Sequence, residues 1–146
     1  MKKEPLRLLL VDDDELTLKL LRHHIQSHFG QELRITATTH PGEALSILAK
    51  EGFDICITDL DMPGLNGFNL LKTIKATNVL TDVIILTCYP SSSAIRSAFA
   101  MGANDYLVKP IQIKDEIIIR TLRFYIERVE RLAREILEDS VEPQMA

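Results

Sequence analysis

Five short apolar runs, each followed by a stretch with helical periodicity, constrain the fold of this 146-residue chain more than any other feature. Several runs are apolar at successive positions, which is typical of strands buried on both faces of a parallel sheet. In the first stretch between them, apolar residues recur at helical spacing, namely Leu16, Leu20, Leu21 and Ile25. We therefore predict an α/β fold with a doubly wound, five-stranded parallel sheet and right-handed crossovers. The predicted strands are 6–11, 33–38, 55–58, 83–87 and 106–108.

Composition and charge narrow the class of protein. Apolar residues make up 46% of the chain and charged residues 26%, which is the balance of a globular domain. The net charge of −4 gives no general attraction to nucleic acid or anionic lipid, so we predict no direct nucleic-acid or membrane binding by this segment. Cys56 and Cys88 lie far apart inside apolar runs, without disulfide or zinc spacing, which favours a reducing cytoplasm. The N-terminal apolar run is too short for a signal peptide or a membrane span.

Polar residues collect where the predicted strands end. Asp12 and Asp13 follow the first strand, Asp59 follows the third, Thr87 ends the fourth and Lys109 follows the fifth. Ligands of open α/β sheets bind beyond the carboxyl ends of the strands, so these side chains should converge. Clustered carboxylates repel unless a cation is present, and small oxygen clusters suit Mg²⁺. A carboxylate is also a competent nucleophile toward phosphorus, so the set is suited to phosphoryl transfer onto an aspartate.

Three stretches, 8–14, 54–64 and 102–110, resemble the response-regulator receiver domains of two-component signal transduction. The similarity covers about residues 5–126, with all three motifs in the family's order and spacing. It implies the CheY-like strand order 2-1-3-4-5 and a phosphoryl-accepting signalling switch. A sensor histidine kinase or phosphotransfer protein would be the donor, and an output domain or partner would be controlled. The only catalysis implied is of the protein's own phosphorylation and dephosphorylation.

The resemblance also assigns roles to individual residues. Asp59 would be the phosphoacceptor, and Mg²⁺ would be held by Asp12, Asp13, Asp59 and the backbone carbonyl of Asp61. Thr87 and Lys109 would bind phosphoryl oxygens. The switch aromatic would be Tyr106, which moves inward as Thr87 turns toward the phosphate, and Pro110 would follow a cis peptide bond. Two positions, Cys88 in place of a very small residue and the acid Asp61, bear on the lifetime of the phosphorylated state.

Two other functions fit parts of the sequence. The run Asp59-Leu60-Asp61 resembles the Asp-x-Asp nucleophile of haloacid-dehalogenase-type phosphatases, which also form an aspartyl phosphate with Mg²⁺. Their motif, however, follows the first strand of a larger domain that carries a cap. The other alternative is a degenerate receiver that acts only as a binding module. The presence of all five acceptor, metal and phosphate-binding positions disfavours it.

The last helical stretch, 115–138, is longer than one layer of the sheet requires. Its apolar residues alternate in spacings of four and three, which is a heptad seam: Ile118, Leu122, Tyr125, Val129, Leu132 and Ile136. Only the first half of the seam is needed by the receiver itself. We therefore predict a receiver domain over 1–126, a helical extension with a polar tail over 127–146, and a homodimer through this helix.

Overall fold

The computed structural model describes residues 4–62, 67–78, 80–88, 90–110 and 116–141. Within them, five parallel strands form one sheet in the order β2-β1-β3-β4-β5. The strands are β1 (Leu6–Val11), β2 (Leu33–Thr38), β3 (Ile55–Asp59), β4 (Asp82–Thr87) and β5 (Asp105–Val108). The helices are α1 (Glu15–Phe29), α2 (Pro41–Lys50), α3 (Gly67–Thr77), α4 (Ser92–Ala100) and α5 (Glu116–Val141), with a 3₁₀ turn at Gly30–Glu32. The predicted fold class, strand order and long C-terminal helix are confirmed.

Three strands are one residue longer than predicted, and in each the added residue is an acid. Asp59 pairs with Leu86 at the end of β3, while Asp82 and Asp105 begin β4 and β5. Our prediction bounded these strands at Thr58, Val83 and Tyr106, each next to the acid that was left out. The ladder consists of backbone hydrogen bonds, which continue under a charged side chain wherever the neighbouring strand is in register. Asp59 therefore belongs to the rigid sheet rather than to the loop.

The sheet is buried on both faces, as its continuous apolar runs predict. Side chains of β1, β3 and β4, such as Leu9, Cys56 and Val83, pack with α2, α3 and α4 in one apolar cluster. Cys56 is the small buried residue that its apolar run predicts, and burial raises the pKa of its thiol to about 12. Among the described residues, no helix has both the length and the apolarity needed to cross a membrane.

The buried face of α1 differs from the predicted one. It consists of Leu18, Leu21, Ile25 and Phe29, whereas Leu16 is 65% exposed. Leu16 precedes Leu21 by five positions, which places the two about 140° apart around the helix axis. The prediction included the exposed Leu16 and Leu20 and left out the buried Leu18, so it mixed two faces of the helix.

Gly30, Gly52 and Gly102 each follow a helical stretch of the sequence, a position that predicts a positive φ, and two of the three have one. Gly30 has φ 53° and Gly102 has φ 105°. Gly52 does not have a positive φ, because α2 already ends at Lys50 and Glu51 leaves it in an extended conformation with φ −133°. The prediction for Gly52 was therefore wrong.

The chain divides into two compact units, Met1–Asp115 and Glu116–Ala146. The second unit contains α5, whose first turns bury Ile118, Leu122 and Tyr125 of the predicted seam. Farther along the same seam, Leu132 is 38% exposed and Ile136 is 57% exposed. The seam thus changes from buried to exposed partway along the helix.

Candidate functional site

The carboxyl ends of β1, β3 and β5 supply the charged side chains of the site. Asp12 directly follows β1, Asp59 is the last residue of β3, and Lys109 directly follows β5. In the order β2-β1-β3-β4-β5, the direction of winding reverses between β1 and β3, which is where open α/β sheets bind ligands. Both Asp12 and Asp59 are buried, being 1% and 4% exposed.

Three carboxylates meet at this edge of the sheet. Asp12, Asp13 and Asp59 each offer an oxygen, and these oxygens lie within 4.8 Å of one another. Asp13 is exposed, so the group opens to solvent on one side. Such a cluster of hard oxygen atoms is the kind of ligand set that Mg²⁺ takes in proteins.

The Lys109 ammonium bridges two of these carboxylates. Its Nζ donates a hydrogen bond to Asp59 Oδ2 at 2.8 Å and lies 2.7 Å from Asp12 Oδ2. The second contact is an ion pair that lacks hydrogen-bond geometry, and among the described residues Asp12 Oδ2 is the buried side-chain oxygen left without a hydrogen bond. Burial alone would lower the pKa of Lys109, but the two carboxylates outweigh it and raise the pKa.

Burial is the main influence on the Asp12 carboxyl. Burial raises its pKa, and the negative charge of Asp59 adds to this effect. The Lys109 ammonium and the backbone N–H of Asp14 act in the opposite direction but do not compensate. An ion pair normally lowers the pKa of its acid, so at Asp12 the effect of burial outweighs that of the ion pair.

Backbone N–H groups fix the direction of both buried carboxylates. Asp59 Oδ1 accepts a hydrogen bond from the N–H of Asp61 at 3.0 Å. Asp12 Oδ1 accepts one from the N–H of Asp14 at 2.9 Å. Asp14 occupies the N-cap position of α1, as its place before Glu15 predicts. Its carboxylate accepts a hydrogen bond from the Thr17 hydroxyl and does not cap a helix N–H. Each Oδ2 is thereby directed toward Lys109.

The remaining predicted residues lie around this charged centre. Thr87 is the last residue of β4 and is buried, and its carbonyl accepts the N–H of Lys109 at 2.9 Å. The Lys109–Pro110 peptide bond is cis. Tyr106 on β5 is 40% exposed, and its ring meets that of Phe99 edge to face with centroids 6.3 Å apart. In this structure the tyrosine therefore points outward.

The sequence profile of the response regulator receiver domain matches residues 8–121. The chain belongs to this family. Receiver domains are the phosphoryl-accepting switches of two-component response regulators, and this receiver has the family's acidic pocket. The predicted recognition and the predicted general function are confirmed, and the family consists of signalling switches rather than of conventional enzymes.

Similar proteins have been characterised by sequence and by structure. RprY of Bacteroides fragilis, a transcriptional regulatory protein, is 34% identical over 133 residues, covering 90% of this chain and 52% of RprY. NtrC of Escherichia coli is 34% identical over 121 residues, covering 82% of this chain and 25% of NtrC. The solved structure of CheY4 from Vibrio cholerae has a TM-score of 0.75 at 28% identity, covering 83% of this chain and 98% of that one. The receiver thus spans about half of RprY and a quarter of NtrC.

One residue important for the site was missed in the sequence. Gly67, the first residue of α3, is buried, and its N–H donates to the carbonyl of Leu60 at 2.9 Å. The available signal was a glycine at the start of a helix eight residues after Asp59, where nothing in the helical pattern requires one. Close contact of backbone with backbone is a common reason for such a glycine.

Proposed function

We propose that Asp59 is the phosphoacceptor of this receiver and that its donor is a sensor histidine kinase or a phosphotransfer protein. The observation that carries the proposal is the position of the Asp59 carboxylate. It accepts a hydrogen bond from the Lys109 ammonium, and one of its oxygens lies within 4.8 Å of carboxylate oxygens of Asp12 and Asp13. An oxygen of Asp59 would attack phosphorus as the P–N bond to the donor histidine breaks. The leaving imidazole keeps the electron pair of that bond and takes a proton from solvent.

The acidic residues fit a bound Mg²⁺. Asp12, Asp13 and Asp59 would hold it through carboxylates and Asp61 through its backbone carbonyl. Two features support this fit: oxygens of the three carboxylates lie within 4.8 Å of one another, and Asp12 Oδ2 is buried without a hydrogen bond. When bound, the ion would neutralise the charge on the transferring group. Lys109, which is close to both buried carboxylates, would then be available to pair with a phosphoryl oxygen.

The same residues would couple phosphorylation to a change in surface. Thr87 would place its hydroxyl on the phosphoryl group, and Tyr106 would move inward. The cavity beside Tyr106 is lined by Leu60, Ile85 and Phe99 among others and has a volume of only about 10 Å³. That is room for about one water and not for a phenol ring. Inward movement of Tyr106 would therefore require α4 to shift. The receiver would then have two discrete states, one with Tyr106 outward and one with Tyr106 inward.

We also propose how this receiver is used in the cell. It would act in the cytoplasm, with the receiver over 1–126 and, over 127–146, a helical extension and a polar tail. The helical extension would pair with a second copy. The exposed Leu132 and Ile136 support pairing, because apolar stripes of this kind are usually covered. The relatives named as transcriptional regulators are much longer than the matched region, which supports control of an output domain or partner.

Phosphate uptake from a small donor tests the acceptor. With acetyl phosphate and Mg²⁺, the intact mass of the full chain should rise by one phosphate, and chelation by EDTA should abolish the rise. Asp59→Asn should gain none, whereas the matched control Asp61→Asn should gain one, because it keeps its backbone carbonyl. Equal uptake by Asp59→Asn and the parent would contradict the assignment. No uptake by any of them would favour a receiver that acts only as a binding module.

A phosphatase of the haloacid-dehalogenase type is the less favoured function. Asp59 ends the third strand of this sheet, whereas the nucleophile of those enzymes follows the first. Turnover of small phosphate esters would be needed to support it.

A further inference from the structure

The start of α3 lies unusually close to the backbone that follows the proposed acceptor. A methyl group on Gly67 would lie 2.3 Å from the carbonyl oxygen of Asp59 and 2.5 Å from Cα of Leu60. An ordinary contact begins at 3.4 Å. Both contacted atoms are backbone atoms, so neither can swing aside as the end of a side chain could. Any side chain at Gly67 therefore requires the segment 59–60 or the helix to move by about 1 Å.

That segment also determines where the acceptor carboxylate lies. Asp59 Oδ1 is held by the N–H of Asp61, and Leu60 donates its N–H to the carbonyl of Leu86 across the sheet. The Leu60 bond is already long, at 3.4 Å, so a further displacement would break it. Gly67 in turn donates its N–H to the Leu60 carbonyl at 2.9 Å. One short piece of backbone thus connects the helix to the acceptor.

We propose that Gly67 is a positioning residue for the backbone segment 59–61, which contains the proposed phosphoacceptor. Its lack of a side chain lets α3 pack against Asp59 and Leu60, and this packing fixes the Asp59 carboxylate and the backbone of Asp61. The inference rests on the proposed function, in which Asp59 accepts the phosphoryl group and Asp61 contributes a metal ligand.

Among the described glycines, Gly67 is the one whose added methyl group would meet backbone atoms. Gly42 and Gly52 also have backbone conformations open to other residues, and a methyl group on either would meet no atom within 4 Å. Gly42 lies in the first turn of α2, far along the chain from the acceptor. It therefore provides a control for the general effect of replacing glycine with alanine.

The test compares Gly67→Ala with the parent in the full chain. Misplacing a reacting group by about 1 Å can cost about 10²-fold in rate, so phosphorylation by acetyl phosphate should slow by roughly that factor. Mg²⁺ affinity, measured by calorimetry without any phosphoryl donor, should fall by about tenfold, as when a residue that orients a metal ligand is lost. In metal-free protein, the amide resonances of Asp59 and Asp61 should shift.

Two controls separate positioning from stability. Gly42→Ala should match the parent in all three measurements. Ile74→Val removes a methyl group from a fully buried position of α3 and should lower stability without changing Mg²⁺ affinity. If Gly67→Ala behaves like Ile74→Val, losing stability but keeping the parent's Mg²⁺ affinity and rate, the proposal is overturned.

Failure to fold would also be decisive. If Gly67→Ala is unfolded in buffer, the measurements are repeated in trimethylamine N-oxide, which favours compact states. A variant that stays unfolded there, or that folds with the parent's Mg²⁺ affinity, would overturn the proposal and assign Gly67 to stability alone. Failure of the parent to take up phosphate would instead contradict the proposed function, and the Mg²⁺ and resonance measurements would still decide the role of Gly67.

Discussion

Lys109 is the residue on which the resting site depends. It is the cation paired with both buried carboxylates, at 2.7 Å from Asp12 Oδ2 and 2.8 Å from Asp59 Oδ2. In the proposed function, the same ammonium pairs with an oxygen of the phosphoryl group on Asp59. Removing the ammonium should therefore favour Mg²⁺ binding, because the carboxylates are freed. It should weaken the response to phosphorylation, because the positive charge that pairs with the phosphoryl group is lost.

We predict that Lys109→Ala binds Mg²⁺ at least as well as the parent but loses most of its response to beryllofluoride. A hydrogen bond to a charged group contributes about 1.5–3 kcal/mol, so the switched population should fall by about tenfold or more. The measurement is the NMR shift of the Tyr106 ring on adding beryllofluoride. Lys19→Ala is the control, because Lys19 is an exposed lysine on α1 paired with Glu15. A parental response in Lys109→Ala would count against its role.

At the scale of elements, α5 combines a buried and an exposed half of one seam. The buried half includes Leu122 and Tyr125, and the exposed half includes Leu132 and Ile136. A seam of roughly three heptads is marginal as an isolated coiled coil. Pairing through it should therefore be weak and sensitive to single charges.

We predict that the full chain dimerises at high micromolar concentration and that a chain ending at Glu127 does not. Leu132→Lys should also abolish pairing, because it places like charges in the seam. Leu137→Lys is the matched control, since Leu137 is 63% exposed but lies off the seam. Light scattering with and without beryllofluoride gives the mass. Equal masses for the full and shortened chains would reject the dimer and leave α5 as a linker.

The strands could be predicted from the sequence more accurately than the buried face of α1 or the packing of α3. The strands were predictable because burial on both faces leaves uninterrupted apolar runs, and only the terminal acids Asp59, Asp82 and Asp105 were missed. The face of α1 was less predictable, because Leu16 and Leu18 are both leucines and only the packing decides which is buried. The role of Gly67 could not be predicted from the sequence, because its close contact with the backbone of Asp59 and Leu60 exists only in the folded chain.

At the scale of the whole molecule, the site is assembled from positions about 50 residues apart. Asp12, Asp59 and Lys109 converge because parallel strands place all their carboxyl ends at one edge of the sheet. Their convergence could be predicted from order and spacing. The sharing of Lys109 between two carboxylates and the outward position of Tyr106 could not, because both depend on side-chain geometry that the sequence pattern does not record.

The assignment of Asp59 as the phosphoacceptor can be tested by locating the phosphoryl group on the chain. The full chain would be phosphorylated with acetyl phosphate and Mg²⁺, reduced with borohydride, and sequenced by tandem mass spectrometry, because reduction of an aspartyl phosphate leaves homoserine at the modified residue. We expect homoserine at position 59 and aspartate at positions 12, 13 and 61. Homoserine at any of those three positions, with aspartate retained at 59, would contradict the assignment.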